Sequence, residues 1–391
     1  MIELNKIYNE SCLDTLARMP NDFLDCVVTS PPYYGLRSYN TEPQIWGDKD
    51  CNHVWGDEIV NPKKDTRTAE VKVSQGATVG TNVASQHWAQ GNMGNFCQLC
   101  NAWRGELGLE PTFQLYIQHL TDIFREVHRV LKPTGTVWVN LGDSYVGGKG
   151  QSGGASAERQ AERNLNGESL NKSHHNETTG FGITRPGDGK QSVRPKSLMN
   201  IPHRFAIAMT DELGFIQRND IIWHKPACMP SSAKDRFTVD FENIFFFTKS
   251  PKYWFEQQLE EYTQPLDRWG GDKLVANGIG MWDAGTGQET YRDRDMRPNP
   301  NGRNMRTTWT VNFEPSGDEH YASYPTKLVE IPIKAGCPPD GVVYDPFGGT
   351  ATTAVTAHKL GRQWICSELQ PKYADIAEKR LEPYLAQISL F

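Results

Sequence analysis

The chain has 391 residues, with 41 Lys and Arg against 47 Asp and Glu, and a formal net charge of -6 that argues against a generic nucleic-acid coat while leaving room for one basic face. No apolar run approaches the roughly 18 residues needed to span a bilayer, and Met1-Ile2-Glu3-Leu4-Asn5 lacks the basic and apolar regions of a signal peptide, so a cytoplasmic protein with no membrane partner is expected. The length suits one large α/β domain with insertions, or two domains, and eight cysteines do not make a disulfide framework at this size, so any that cluster point to metal or catalytic roles.

The chain opens as strand, helix, strand: Lys6-Ile7-Tyr8, then Cys12 to Arg18, then Phe23 to Val28. This is a βαβ pattern. The second strand runs into Thr29-Ser30-Pro31-Pro32-Tyr33. Two adjacent prolines lock the backbone, so the Ser30 hydroxyl and the Pro31 carbonyl become fixed acceptors with the flat face of Tyr33 beside them. Such a turn suits a planar ring carrying an amino group. The aromatic loop that follows, with Tyr34, Arg37 and Tyr39, is placed to fold over a base.

Residues 42–104 are polar, rich in Gly and Asn and without sustained periodicity, which reads as an insertion. Within it lie Cys51, His53, Cys97 and Cys100. The two-residue gap of the second pair lets both thiolates reach one ion, and together they form a Cys3His set suited to structural zinc, with His87 as a substitute ligand. Four ligands leave no open position, which disfavours a catalytic ion.

From Phe113 to Leu131 apolar residues recur at helical spacing until Lys132-Pro133-Thr134-Gly135, and Thr136 to Asn140 follows as a buried strand. Asp143, just past that strand, lines a crevice or caps a loop. Residues 146–195 are rich in Gly, Ser, Asn and Gln and read as a flexible segment, whose basic tail from Arg185 to Lys196 contacts DNA backbone or is merely solvated. A helix through Phe205 to Met209 and two paired strands, Phe215 to Pro226 and Asn243 to Lys249, come next; His224 at a strand end reads as structural before catalytic. Between 255 and 320 periodicity is lost again. Trp269, Trp282, Tyr291 and Trp309 stand there among Arg292, Arg294, Arg297, Arg303 and Arg306, a mixture able to grip phosphates, read base edges and stack.

The last seventy residues hold a second anchor. Tyr324-Pro325-Thr326-Lys327-Leu328 opens a helix, Gly341 to Asp345 is a short buried strand, Pro346 to Thr353 is a turn of small residues and Ala354 to Leu360 is helical. Strand, tight glycine turn and helix make a nucleotide-type site that lets backbone approach a ligand. The next strand ends in Glu368, about 20 residues after the turn, the interval at which an acid meets ribose hydroxyls.

Thr29-Ser30-Pro31-Pro32-Tyr33 resembles motif IV of the DNA methyltransferases that modify exocyclic amines, and Asp345-Pro346-Phe347-Gly348-Gly349 resembles their motif I. With the catalytic turn first and the cofactor turn last, the chain resembles the permuted beta class of that family. The resemblance implies a Rossmann-like α/β fold with a mostly parallel sheet, built from 1–41, 105–145, 196–254 and 321–391, with 42–104 and 146–195 inserted and 255–320 as target-recognition region. It implies S-adenosylmethionine held by Asp345, Phe347, Gly348, Gly349 and Thr350. Glu368 would take its ribose, Tyr324, Pro325 and Lys327 would flank its methionine end, and Ser11 stands where Asp usually serves the adenine side. Ala351 occupies a place where a further Gly is common. Catalysis falls to Ser30, Pro31, Pro32 and Tyr33, acting on a base flipped from double-stranded DNA. Tyr34, Arg37, Tyr39, Arg292, Arg294, Arg303 and Arg306 are the expected DNA contacts. Ser at position 30 leans toward cytosine N4 over adenine N6, and the absence of a Pro-Cys nucleophile at the turn excludes cytosine C5. A catalytically silent DNA-binding module is disfavoured because both anchors are intact. A cognate restriction endonuclease and a homodimer are the protein partners the resemblance allows.

Overall fold

The computed structural model describes residues 2–56, 95–146, 193–194, 196–262, 299, 301–313 and 324–386. The expectations for His87, Trp269, Trp282, Tyr291, Arg292, Arg294, Arg297 and most of the 146–195 segment fall outside these residues.

Among the described residues twelve strands and six helices follow one another: β1 Lys6–Tyr8, α1 Cys12–Arg18, β2 Leu24–Thr29, β3 Gln44–Trp46, β4 Trp103–Gly105, α2 Phe113–Val130, β5 Leu131–Leu141, α3 Ile201–Asp211, β6 Ile216–His224, β7 Phe241–Thr248, β8 Leu259–Glu260, β9 Arg303–Asn304, β10 Thr308–Thr310, α4 Thr326–Gly336, β11 Val342–Asp345, α5 Thr352–Lys359, β12 Gln363–Ser367 and α6 Pro371–Leu385. Eight strands form one sheet in the order β1-β12-β11-β2-β5-β7-β6-β10. From β1 to β5 every pairing is parallel; β7 runs antiparallel to both β5 and β6, and β10 is parallel to β6. The expected mostly parallel α/β sheet is thus present.

Strand periodicity decides which face each side chain joins. Val27, Val137, Val139, Phe245, Phe247 and Tyr344 join Leu16 of α1, Phe124 of α2 and Phe205 of α3 on one face. Their neighbours Cys26, Val28, Trp138, Ile244, Phe246 and Val343 join Ile333 of α4, Val355 of α5 and Ala377 of α6 on the other. Helices therefore cover both faces, as buried parallel strands require. Thr112 caps α2 by accepting from the Leu115 amide, and the helix buries Tyr116, Leu120, Ile123, Phe124 and Val127 along one stripe.

Two boundaries differ from expectation. The strand after α2 begins at Leu131, so Lys132-Pro133-Thr134-Gly135 is an irregularity inside β5, where the register against β2 jumps. The break is pinned by Lys132, whose Nζ lies 2.8 Å from both Asp25 carboxylate oxygens. Trp309, expected among recognition aromatics, instead sits on β10 at the sheet edge, 6% exposed, with its ring centroid 6.5 Å from that of Trp138. Its indole is core because β10 pairs with β6, so the 255–320 block gives its end back to the catalytic sheet. No helix among the described residues is long and apolar enough to cross a membrane.

Candidate active site

Strands β2 and β11 are adjacent and parallel, so the turns that follow them emerge at the same sheet edge although they lie more than 300 residues apart. In open α/β sheets this carboxyl edge is where ligands bind. The Thr29 hydroxyl donates to Asp345 Oδ1 at 2.6 Å, and the same carboxylate accepts from the Phe347 amide at 3.0 Å, the Tyr324 hydroxyl at 2.8 Å and the Thr353 hydroxyl at 2.5 Å. Burial raises the Asp345 pKa and these donors oppose the rise. Asp345 therefore ties the two turns together from beneath and does not line the cavity.

A cavity of about 360 Å³ opens between the turns, a size suited to a small-molecule cofactor. Ser30 and Pro32 reach it from one side; Phe347, Gly348, Gly349 and Thr350 form its floor, with Glu368, Tyr324 and Ser11 around them. Gly349 has φ +52°, and a Cβ on Gly348 would lie 3.0 Å from Cys366 Cβ, so the turn needs its glycines. Glu368 Oε2 accepts from the Gly349 amide at 2.8 Å and Oε1 from the Gln370 amide at 2.7 Å. Loss of water around this carboxylate pushes its pKa up to about 7. Glu10 lines the wall beside Ser11, but its carboxylate is already bound to the Thr15 hydroxyl at 2.7 Å and to Arg18. Pro325 is buried and Lys327 exposed, and neither lines the cavity. Arg37 and Tyr39, expected at DNA, line this cavity instead.

The catalytic turn is held from below. The Tyr116 hydroxyl donates to the Pro32 carbonyl at 2.7 Å, and the Tyr33 ring packs so closely on Gly142 that a Cβ there would lie 2.5 Å from Cε2. The Tyr33 hydroxyl lies 2.7 Å from Glu242 Oε2 and 3.0 Å from Asn140 Oδ1; Ser30 Oγ is 3.4 Å from both the Tyr33 hydroxyl and Asn140 Oδ1. Desolvation, and then the Glu242 charge, raise the Tyr33 pKa well above the usual phenol value. Tyr34 corrects the expectation of a DNA contact: it is 3% exposed, with its ring centroid 5.5 Å from that of Tyr116. The sharp turn after Pro32 sends one tyrosine against Gly142 and Glu242 and the next into the core. Asp143 takes the capping role, accepting from the Ser144 amide at 2.8 Å and the Ile201 amide at 3.1 Å. His224 contacts Thr310 Oγ1 at 3.1 Å and Asp240 at 3.7 Å, away from the turn.

Asn140 and Glu242 were not legible as site residues. The available signal was positional: Asn140 is a polar residue near the carboxyl end of an apolar strand, and Glu242 stands at the start of another.

The ligand atoms of Cys51, His53, Cys97 and Cys100 all lie within 4.8 Å of one another. Cys51 and Cys97 sulfurs are 3.9 Å apart and Cys100 Sγ is 3.5 Å from His53 Nδ1. A tetrahedral ion with Zn–S bonds of about 2.3 Å demands edges of roughly 3.8 Å, so the donor set fits zinc. The Leu99 amide points at Cys97 Sγ at 3.4 Å. The cluster sits at one end of the β3–β4 ribbon. Trp46 and Trp103 of that ribbon stack against His119 at 4.5 and 5.5 Å, and His119 Nδ1 meets the buried Glu110 at 2.9 Å. Gln44, Trp46, Glu106 and Leu107 of the same ribbon and its exit complete the cavity wall.

Arg303 and Arg306 both pair with Glu260, at 2.8 and 2.6 Å, beside the short β8–β9 hairpin. A phosphate reaching either must compete with that carboxylate.

A doubly wound sheet whose carboxyl edge joins a glycine turn to a proline-stiffened turn across one cavity defines an α/β protein with a small-molecule site at that edge. Residues 24–379 match the family profile described as DNA methylase, and the chain belongs to that family. It is similar to the Type II methyltransferase M.Cfr9I of Citrobacter freundii, 29% identical over 383 residues that cover 97% of this chain and 89% of that protein. The Type II methyltransferase M.SmaI of Serratia marcescens is 28% identical over 376 residues, 96% of this chain and 90% of its own. Among solved structures, the PvuII DNA methyltransferase (cytosine-N4-specific) aligns over 100% of this chain and 89% of its own with a TM-score of 0.51 and 16% identity, a likeness of fold. The protein is a DNA methyltransferase, as the motif resemblance implies.

Proposed function

We propose that the protein transfers the methyl group of S-adenosylmethionine to the exocyclic amine of a base flipped from double-stranded DNA, cytosine N4 in preference to adenine N6. The observation that carries this reading is that Ser30 opens onto the same cavity as Gly348, Gly349 and Glu368. When bound, the cofactor supplies an electrophilic methyl group. Glu368 would hold its ribose hydroxyls, the glycine turn would let it approach the backbone, and Ser11 with the ribbon residues would close the adenine side. The base amine is a poor nucleophile because its lone pair is delocalised into the ring. Ser30 Oγ and the Pro31 carbonyl accept its two hydrogens, turn the nitrogen toward tetrahedral geometry and aim its lone pair at the methyl carbon. Proline stiffness matters here because the acceptors need not reorganise. Serine at position 30 and the cytosine-N4-specific fold relative favour cytosine.

Cys51, His53, Cys97 and Cys100 hold a structural zinc on this reading. Double-stranded DNA reaches the site in the cytoplasm, a cognate restriction endonuclease cuts the unmodified sequence, and a homodimer is the assembly to seek by sedimentation. The deciding experiment gives purified enzyme labelled S-adenosylmethionine and DNA, then digests the DNA to nucleosides. Label on N4-methyldeoxycytidine is expected; label on adenine overturns the choice of base, and unlabelled DNA despite cofactor binding overturns the reaction.

A further inference from the structure

Behind the catalytic turn lies a charged pair that amine binding leaves unused. Glu242 Oε2 receives the Tyr33 hydroxyl at 2.7 Å and Asn140 Nδ2 at 3.2 Å, while Oε1 is paired with Lys225. The two side chains are only 18% and 12% exposed, and Lys225 Nζ lies 4.3 Å from the Trp223 ring centroid. Burying such a pair costs several kcal/mol of solvation that an apolar pair would not incur. Packing alone does not account for it.

The reaction does need a proton acceptor. As the amine lone pair forms the N–CH3 bond, the S–CH3 bond breaks and its electron pair stays on sulfur. The nitrogen then carries one proton too many, and a serine hydroxyl is too weak a base to keep it. The contacts provide an outlet. The N–H bond breaks with its electron pair returning to nitrogen, Ser30 Oγ takes the proton and passes its own to the Tyr33 oxygen 3.4 Å away, and Tyr33 passes its own to Glu242. Both hydroxyls end as they began. The net transfer is one proton from amine to carboxylate.

We propose that Glu242 is the final acceptor of the proton shed by the methylated amine, reached through Ser30 and Tyr33 and held in place by Asn140 and Lys225. Glu242 acts through Tyr33 and is a positioning residue, and the inference rests on the amino-methyltransferase reading given above. The raised pKa of Tyr33 suits a relay, since its phenol stays protonated until it is replenished from Ser30. The titratable groups facing Glu242 are Tyr33 from the turn and Lys225 beyond β6. Further out, His224 is turned to Asp240, and Asp220 is held by Asn243 and His203.

The test measures single-turnover methyl transfer by the enzyme, at saturating cofactor and DNA, for wild type, Glu242→Gln, Glu242→Asp and Tyr33→Phe. Dissociation constants for S-adenosylhomocysteine and DNA, and the thermal midpoint, are measured alongside. At saturating cofactor and DNA, Glu242→Gln is expected to slow transfer about a hundredfold, the lower end of general-base contributions. Its dissociation constants stay within about twofold of wild type, and Glu242→Asp regains part of the rate. Tyr33→Phe keeps the ring, breaks the relay and should give a loss of similar size that does not add to that of Glu242→Gln. A Glu242→Gln enzyme within about threefold of wild type, or a Glu242→Asp enzyme no faster than Glu242→Gln, overturns the proposal. If Glu242→Gln does not fold, Tyr33→Phe decides: wild-type rate overturns the relay. A wild-type enzyme that binds cofactor yet methylates no amine defeats the underlying reading, a result distinct from each of these.

Discussion

If Cys51, His53, Cys97 and Cys100 hold zinc as proposed, removing one of them should weaken cofactor binding without touching the cofactor. Cys97→Ala would leave three donors, too few to keep the ion, and with it would go the link between Cys51 and Cys97, 46 positions apart. Closing a loop of that length costs an unlinked chain about 4 kcal/mol. Opposing this, Trp46 and Trp103 are 8% and 4% exposed, and burying two such side chains against His119 returns roughly 5 kcal/mol as an upper figure. A two-stranded ribbon has little stability of its own. With the closure cost restored, docking and undocking of the ribbon come within about 1 kcal/mol of each other, so between roughly one-sixth and five-sixths of molecules lose the wall formed by Gln44 and Trp46. Affinity falls by the docked fraction, about 1.2- to sixfold. Calorimetric titration with S-adenosylhomocysteine, on protein as purified, chelated, re-zincated and carrying Cys97→Ala, provides the assay. Zinc should restore the chelated wild type and not the variant. Chelation that strips the metal yet leaves both affinity and thermal midpoint unchanged would refute the argument, because the ribbon would then be docked by its tryptophans alone.

Other expectations follow from the same contacts. Ser30→Ala and Tyr33→Ala should each cut single-turnover rate about a hundredfold or more while S-adenosylhomocysteine affinity stays within about twofold, as read by the same titration. Glu368, with its pKa up to about 7 in the folded protein against 4.5 for the free side chain, is protonated below neutrality, so cofactor affinity should rise with pH toward 7 and then level, and Glu368→Gln should flatten the curve. The same raised pKa means that its contribution to stability is full below 4.5 and lost as pH rises through 7, so the cofactor-free enzyme should melt lower at pH 8 than Glu368→Gln does. Thr29→Val removes a buried donor from a carboxylate and should cost about 1.5–3 kcal/mol in denaturant unfolding. Ala351→Gly relieves a residue at φ 63° but loses a buried methyl, two effects of about 1 kcal/mol each that cancel, so its midpoint should hardly move.

The legible parts of the molecule are those where local chemistry leaves one option. Pro31-Pro32 after an apolar run can only be a rigid turn, and Gly348-Gly349 between a short strand and a helix can only be a close-approach turn. The apolar run Val137-Trp138-Val139 marks a buried strand, and the Cys-x2-Cys spacing announces its cluster. What stayed hidden depends on partners distant in sequence. Nothing near Tyr34 says that Tyr116 will receive it, nor does Trp309 reveal that β6 will take β10 as its neighbour. Glu242 reads locally as the polar start of a strand; its meaning comes from Tyr33, 209 positions away. Arg37 and Tyr39 look like DNA contacts in a list of residue types, yet the loop that carries them is drawn over the cavity by Glu106, whose carboxylate binds the Ser38 hydroxyl and the Tyr39 amide.

The Thr29–Asp345 bond explains why a cofactor turn placed last in the chain can serve a catalytic turn placed first. Reaction geometry depends on which strands are neighbours, and Cys26 and Val27 of β2 pair with Val343 and Tyr344 of β11 whatever lies between them in sequence. Sheet pairing sets the distance between the turns only to within the play of two strand ends. A hydroxyl on the last residue of β2, donating to a carboxylate on the last residue of β11, removes that play exactly where Ser30 begins. Asp345 spends its other lone pairs on Tyr324, Thr353 and the Phe347 amide, so one buried carboxylate sets the acceptor turn, the glycine cradle and the entry to α4 in a single frame. In-line transfer tolerates little misplacement between amine and methyl carbon. The residue most strongly marked by the motif therefore acts less by touching the cofactor than by holding the two half-sites in register.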